Sequence, residues 1–214
     1  MTAPVPVALV GAGGHAREVL DVVDAVNAEG RLRIEVVGVV AAEAPGPDSP
    51  MAAYGLPYLG GDEAWGELPP SVGYLLGIGS PQVRARLDAA LRDRPAPVLV
   101  HPATSRGRVV DLGPGSVLFP FVSVTNHVRL GRHTHVNRNA TVGHDTTLGD
   151  HVLVGPGAVV SGAVTVGDRV MLGAGCSVRQ NLSVGADAVV GMGAAVVADV
   201  PAGVTVTGVP ARPR

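Results

Sequence analysis

The residues best equipped for chemistry are histidines, and they are unevenly spread. Five of the seven histidines fall between positions 127 and 151. His144 is followed directly by Asp145, which pairs an imidazole with a carboxylate. A neutral imidazole can take a proton from an attacking nucleophile at neutral pH. Taken alone, a histidine at a corner reads as a solvated surface residue. A spacing of 18 separates His127 from Asp145, and the same spacing separates His133 from His151. A second candidate lies near the start, where Gly11-Ala12-Gly13-Gly14-His15-Ala16 joins a strand-like run to a helix-like run. A glycine-rich turn there presents backbone N–H groups at a helix N-terminus, which suits a phosphate.

The histidines sit in a repeat that must position them. From Leu112 to Val196 every sixth residue is Leu or Val, with no break in phase. The position four later is small or apolar, as at Val122, Ala140, Val152, Ala158, Val164, Cys176, Ala188 and Ala194. Two inward positions in six fit a short strand and a corner; an amphipathic helix needs spacings of three and four. Gly113, Gly131, Gly149, Gly167 and Gly185 recur every 18 residues, so three hexapeptides make one coil. A glycine serves where a corner needs positive φ or has no room for a Cβ. Leu112 to Pro201 therefore reads as a parallel β-helix of five coils, about 24 Å tall at the strand spacing. Residues stacked at 18, such as His127 and Asp145, should be neighbours, so Asp145 has two candidate partners.

The preceding residues read as a small α/β domain. Val5–Val10 is a buried strand, Arg17–Ala28 an amphipathic helix, Ile34–Val40 a second strand and Val72–Ile78 a third. A helix of about Pro81–Arg92 follows, then a short last strand at Val98–Val100. Ala44–Pro57, rich in Pro, Ala and Gly, reads as a loop. The division is 1–102 for a Rossmann-like βαβ domain and 103–214 for the β-helix with its tail. A dinucleotide site would also need an acidic residue closing the second strand. Ala41 and Ala42 stand there instead, which argues against a nicotinamide cofactor.

Composition bounds the rest. In 214 residues, 46% are hydrophobic and 16% charged, ample for a core and too little charge for a disordered chain. A net charge of −2 makes nucleic acid an unsuitable partner. All 16 basic residues are arginine. Cys176 is the lone cysteine and reads as inert core. The N-terminus has no basic region ahead of its apolar run, so no signal peptide is expected. No apolar run is long enough to span a bilayer. A cytoplasmic location is the expectation.

The chain as a whole resembles the hexapeptide-repeat sugar O- and N-acetyltransferases of the sialic-acid and bacillosamine pathways. The marks are V-G-A-G-G-H-A-R-E-V-L from Val10, G-I-G-S-P from Gly77, His101-Pro102, G-H-D from Gly143 and G-V-P-A-R from Gly208. The resemblance extends from about Val7 to Arg212. It implies a left-handed β-helix, acetyl-CoA as co-substrate, a nucleotide-linked amino sugar held by the N-terminal domain, and a homotrimer. It implies His144 as general base and Asp145 as the acid that supports it, because a carboxylate favours the imidazolium that results. Asn137 matches an active-site asparagine. Gly13, Gly14, His15 and Gly79 match sugar-nucleotide positions. For acetyl-CoA, Gly162 matches a backbone donor to the thioester oxygen, Ala174 and Met192 match backbone contacts, and Leu153 stands where relatives have a histidine. No metal is expected. Transfer to an amine is the reading adopted, with O-acetylation of a sugar hydroxyl as its alternative. A non-catalytic sugar-nucleotide scaffold is a reading of another class. Clustered histidines on a β-helix also resemble the γ-class carbonic anhydrases, which would place zinc among His133, His135 and His144.

Overall fold

Each hexapeptide folds into a two-residue strand and a corner, and the strands pair in parallel with partners 18 residues away. Val142, for instance, lies between Val124 and Val160. Three sheets of five, eight and six strands form the faces of a prism, parallel throughout except for the last strand, Arg212–Pro213, which runs antiparallel to Thr205–Thr207. The structure is a computed structural model that describes residues 3–30 and 32–214. The repeated Leu and Val side chains fill the prism, from Leu118 to Val196, with almost no exposed surface. Where Ser116, Thr134 and Thr146 take inward positions, their hydroxyls donate to the carbonyls of Gly131, Gly149 and Ser161, so no buried donor is wasted.

The glycine columns are explained by close approach and not by positive φ. A Cβ at Gly131 would lie 2.5 Å from the carbonyl carbon of Gly149 and 2.6 Å from the nitrogen of Asp150. Positive φ falls instead three residues after each Leu or Val from Leu112 to Val190, often on side chains that tolerate it: His127, His133, Asn139, Asp145, His151, Asn181 and Asp187. Asn, Asp and His are the residue types enriched in left-handed backbone. Corner geometry thus accounts for His127, His133 and His151 among the repeat histidines, and for Asp145 and Asp187.

The β-helix is taller than the sequence indicates, and it begins earlier. Leu99–Val100, read as the last strand of the N-terminal domain, pairs with Val117–Leu118 and opens the eight-stranded face. Ser105–Arg106 pairs with Ser123–Val124. Both lie ahead of the first Leu of the repeat, where the inward pattern is not yet established. At the far end Thr205–Thr207 adds a strand beyond the last repeat.

The N-terminal domain is a four-stranded parallel sheet of β1 (Val5–Val10), β2 (Ile34–Val40), β3 (Tyr58–Gly60) and β4 (Gly73–Leu76), in the order β3-β2-β1-β4. Helix α1 (Gly14–Glu29) begins inside the glycine-rich turn, and α2 (Pro81–Leu91) follows β4. β3 and a short 3-10 helix at Asp62–Gly66 carry too brief a pattern to be read from sequence.

Polar groups join this domain to the prism. The stripe of α2 at 81, 84, 88 and 91 is buried, and two of its members are Arg84 and Asp88. The Asp88 carboxylate accepts from Tyr74, from Arg132 at 2.6 and 3.1 Å, from His133 Nε2 at 3.1 Å and from His151 Nε2 at 3.0 Å. With both imidazoles protonated at Nε2, every buried donor faces this carboxylate, and only the Nδ1 lone pairs lack partners. Burial alone would raise the Asp88 carboxyl; the bonds from His133, His151, Arg132 and Tyr74 hold it far below the usual range. On the other side of the joint, His15 Nε2 meets His135 Nδ1 at 2.9 Å, and Glu18 pairs with Arg138 at 3.0 Å.

Burial lowers His133, pushes His135 well down and takes His15 to about 4, with the Arg84 charge adding to it at His15. All three are neutral in the fold, whereas an unfolded histidine takes a proton near pH 6.5. Their stabilisation is complete above about pH 6.5 and is lost as pH falls below it, down to about 4 for His15, at a slope approaching ~1.4 kcal/mol per pH unit per histidine. Chemical denaturation at pH 7, 6 and 5 checks this; equal stabilities would contradict it. Asp88→Asn at pH 7 should cost about 3–5 kcal/mol in the same experiment, because Arg132 loses its buried partner.

Candidate active site

His144 follows the strand Thr141–Val142 at one edge of the prism. Asp145 takes positive φ there, at 57°. That turn brings neighbouring side chains to the same side, which a regular strand would not do. His144 Nδ1 lies 2.8 Å from Asp145 Oδ2. The coil below adds His127, whose Nδ1 is 3.8 Å from Asp145 Oδ1. Both partners suggested by the spacing are therefore present, and the adjacent one is closer. The carboxylate holds a proton on Nδ1, which leaves the lone pair of His144 on Nε2.

The coil above explains Gly162. A Cβ at that position would lie 2.6 Å from His144 Nε2, so the imidazole rests against the glycine backbone. At a different edge, aspartates of the next coil accept the N–H groups of Arg132 and Asp150. Asn126 does the same for Arg108. His144 departs from this pattern, since its ring turns to Asp145. The N–H of Gly162 donates to no acceptor among the described residues. The side chains of His144, Asp145 and His127 are 68%, 59% and 67% exposed, so a substrate or another protein surface can reach them.

The other positions expected at the reaction centre lie elsewhere on this chain. Asn137, Ala174 and Met192 fall along the edge that follows the strands His135–Val136, Met171–Leu172 and Val189–Val190. His144 and Gly162 fall on the edge after Thr141–Val142 and Val159–Val160. Asn137 is nearly buried, and its side-chain oxygen accepts the Arg138 N–H at 2.8 Å. Leu153 pairs in register with His135 and Met171. Gly155 and Gly173 let the chain pass close beneath the nitrogens of Ala174 and Met192. Those two N–H groups have no acceptor among the described residues, and the Met192 side chain is 82% exposed.

The three histidines of the zinc reading are not gathered. His133 is committed to Asp88 and Tyr74, His135 to His15, and His144 to Asp145 on another edge. His133 and His135 are two apart as the sequence has them, but each faces a different partner from the N-terminal domain, and His144 faces neither.

A cavity of about 380 Å³ lies between the end of α1 and the first coil of the β-helix, and a larger one of about 540 Å³ opens in the N-terminal domain at the C-terminal ends of β1, β2 and β4. Strand order reverses beside β1, which is where open α/β sheets hold ligands. The larger cavity is lined by Gly11, Ala12, Ala41, Ala42, Ile78 and Arg86, among others. Gly11 makes the turn at φ +99°, and Gly77 lets Ala16 approach closely. Around Gly13 and Gly79 the space a Cβ would fill is open. The His15 ring turns away from this mouth, with one nitrogen facing His135 and the other 3.5 Å from Glu18. Its backbone lies in the first turn of α1, three residues after Ala12 of the cavity lining. Asp62 and Glu63 reach the cavity from the 3-10 helix after β3. They bring acidic groups to a site whose second strand ends in alanines. The D-E pair after Gly60-Gly61 was the available signal, hidden because no strand was read before it. Backbone N–H groups of Glu63 and Gly61 hold the Glu63 carboxyl below its usual range.

Comparison with known proteins agrees with both halves of the chain. Residues 6–90 match the PglD N-terminal domain family. Residues 127–162 and 145–180 match bacterial transferase hexapeptide repeats, and residues 163–198 match the hexapeptide repeat of succinyl-transferase. No curated protein sequence gives a significant match. Among solved structures, a histidine-to-asparagine mutant of perosamine N-acetyltransferase from Caulobacter crescentus, in complex with CoA and GDP-perosamine, is 30% identical with a TM-score of 0.89. That match covers 99% of this chain and 98% of the other. The acetyltransferase domain of PglB from Neisseria gonorrhoeae, in complex with acetyl coenzyme A, is 29% identical with a TM-score of 0.85, covering 99% and 100%. WeeI from Acinetobacter baumannii is 29% identical with a TM-score of 0.85, covering 98% and 99%. With its Rossmann-like N-terminal domain and left-handed β-helix, the chain belongs to the hexapeptide-repeat sugar acetyltransferase family and is an acyltransferase.

Proposed function

We propose that the protein transfers the acetyl group of acetyl-CoA to the amine of a nucleotide-linked amino sugar, with His144 as general base. The observation that carries this is the His144–Asp145 pair, which leaves Nε2 free to accept a proton above Gly162. The neutral amine attacks the thioester carbonyl, and its nitrogen loses a proton to Nε2. The thioester oxygen becomes negative and takes the Gly162 N–H as donor. Collapse of the tetrahedral intermediate expels the CoA sulfur, which receives the proton from His144. Asp145 holds the tautomer and faces the imidazolium that forms. The same base would serve a hydroxyl, so the acceptor is decided by what the N-terminal cavity presents. Support for an amine comes from the relative crystallised with CoA and GDP-perosamine.

The separation of the two edges supports a homotrimer. His144 lies on one edge, while Asn137, Ala174 and Met192 lie on another. A second copy placed edge to edge would bring its own Asn137, Ala174 and Met192 edge to the base. Gly13, Gly14, Gly79 and the backbone of His15 are assigned to the sugar nucleotide, beside the cavity that holds Asp62, Glu63 and Arg86. Among the described residues no helix is long and apolar enough to cross a membrane. Use of acetyl-CoA supports a cytoplasmic location.

The test is a thiol-release screen of GDP-, UDP- and dTDP-linked amino sugars with acetyl-CoA, with hydroxyl-bearing sugars alongside. One amino-sugar nucleotide should turn over. His144→Ala should lower kcat by about 10²–10⁴-fold on it, with little change in KM. Unchanged turnover in that variant would exclude this mechanism, and no turnover by the intact protein on any sugar would favour a scaffold. Asp145→Asn keeps the shape of the corner but loses the charge. It should reduce kcat about 10-fold or more while leaving the KM for acetyl-CoA in place.

A further inference from the structure

Arg84 is wholly buried, and no carboxylate among the described residues lies within ion-pair distance of it. Its guanidinium donates to five carbonyls instead. Three belong to the β-helix: His133 at 3.1 Å, His151 at 2.8 Å and Val152 at 3.1 Å. The other two are Ile78 and Gly79, each at 2.9 Å. These last two sit in the loop between β4 and α2, and Ile78 lines the larger cavity.

In a trans peptide the C=O and the following N–H point in opposite directions. Drawing the carbonyls of Ile78 and Gly79 inward therefore turns the N–H groups of Gly79 and Ser80 outward. Neither N–H has an acceptor among the described residues. The space that a Cβ on Gly79 would fill is also open. Ser80 is also the N-cap of α2, so the dipole of that helix adds to the same spot. Gly11 and Ala12, which lead into α1, line the same cavity as Ile78, and the first turn of α1 that follows them carries the N–H groups of Gly14 and His15.

We propose that Arg84 is a positioning residue for the diphosphate of the sugar nucleotide, acting through the Gly79-Ser80 backbone without touching the ligand. This rests on the sugar-nucleotide reading above. The buried charge does two jobs. It fixes two outward donors on a loop that glycines would otherwise leave free, and it places an uncompensated positive charge beneath them. Its influence reaches the facing turn, where it helps to keep His15 neutral. A buried arginine with no acidic partner is costly for stability alone. A bound dianion would neutralise this charge.

The experiment compares the intact protein with Arg84→Lys by calorimetric titration with GDP, UDP and dTDP and with their nucleosides. Lysine keeps the charge but cannot reach five carbonyls from one ammonium. The expected result is that the best-bound diphosphate weakens by about tenfold or more while its nucleoside changes less than about twofold. The KM for acetyl-CoA should stay unchanged. Equal weakening of diphosphate and nucleoside, or no weakening of either, would overturn the proposal and leave the sugar-nucleotide reading intact. Failure of the unaltered protein to bind any of the three diphosphates would overturn both. If the lysine variant does not fold, hydrogen exchange of the segment 77–83 in the unaltered protein decides the matter. Slower exchange on adding the diphosphate is expected, and unchanged exchange would reject the proposal.

Discussion

Every functional neighbourhood in the β-helix follows from one constraint, the hydrogen-bonded stacking of each coil on the next at a register of 18 residues. The stacking requires backbones to pass so closely that a Cβ cannot be accommodated at Gly131, Gly149 or Gly167. It also forces a left-handed residue into each corner, every sixth position from Gly115 to Gly193. With those two demands met, side chains 18 apart become neighbours whatever their chemistry. His127 then shares Asp145, and the rings of His133 and His151 lie parallel at 6.0 Å.

The same rule that places the candidate base also supplies its background. Corners favour Asp, Asn and His because these types tolerate positive φ. Most of the corner histidines and aspartates are therefore explained by backbone geometry and do not mark a site. His144 differs because it is not the left-handed residue. It precedes Asp145, which is, and Gly162 in the next coil of its column makes room for its ring. The site is thus a local exception within a regular lattice.

The sequence makes the lattice legible because a six-residue period, unbroken from Leu112 to Val196, has no competing explanation. The adjacency of His144 and Asp145 was legible in part, since the corner suspends the alternation of a strand. The domain joint was not legible. Arg84 and Asp88 lie on the stripe 81, 84, 88, 91, which has helical spacing but mixed polarity. A charged residue on such a stripe normally marks the solvent side. Only the partner surface, with Arg132, His133, His151 and their carbonyls, makes burial tolerable, and that surface lies at least 44 residues further along the chain. The place of Leu99–Val100 is hidden for a related reason: a two-residue strand belongs to whichever sheet supplies its hydrogen bonds, and Val117–Leu118 supplies them.

The polar joint also bears on why the two domains hold one arrangement. Apolar surfaces would bury area without fixing direction, because packing tolerates small rotations. Arg84 and Asp88 impose directional demands from both domains at once. Five carbonyls must converge on one planar guanidinium, and five donor groups must converge on one carboxylate. A shift in either domain would strand several buried groups together, each costing about 1–3 kcal/mol. The mouth formed by the first turn of α1 and the Gly79 loop is consequently held at a set place above the prism. A group transfer between a ligand on one domain and a thioester on the other requires that placement, because a displacement of about 1 Å at the reacting atoms is enough to slow it by orders of magnitude.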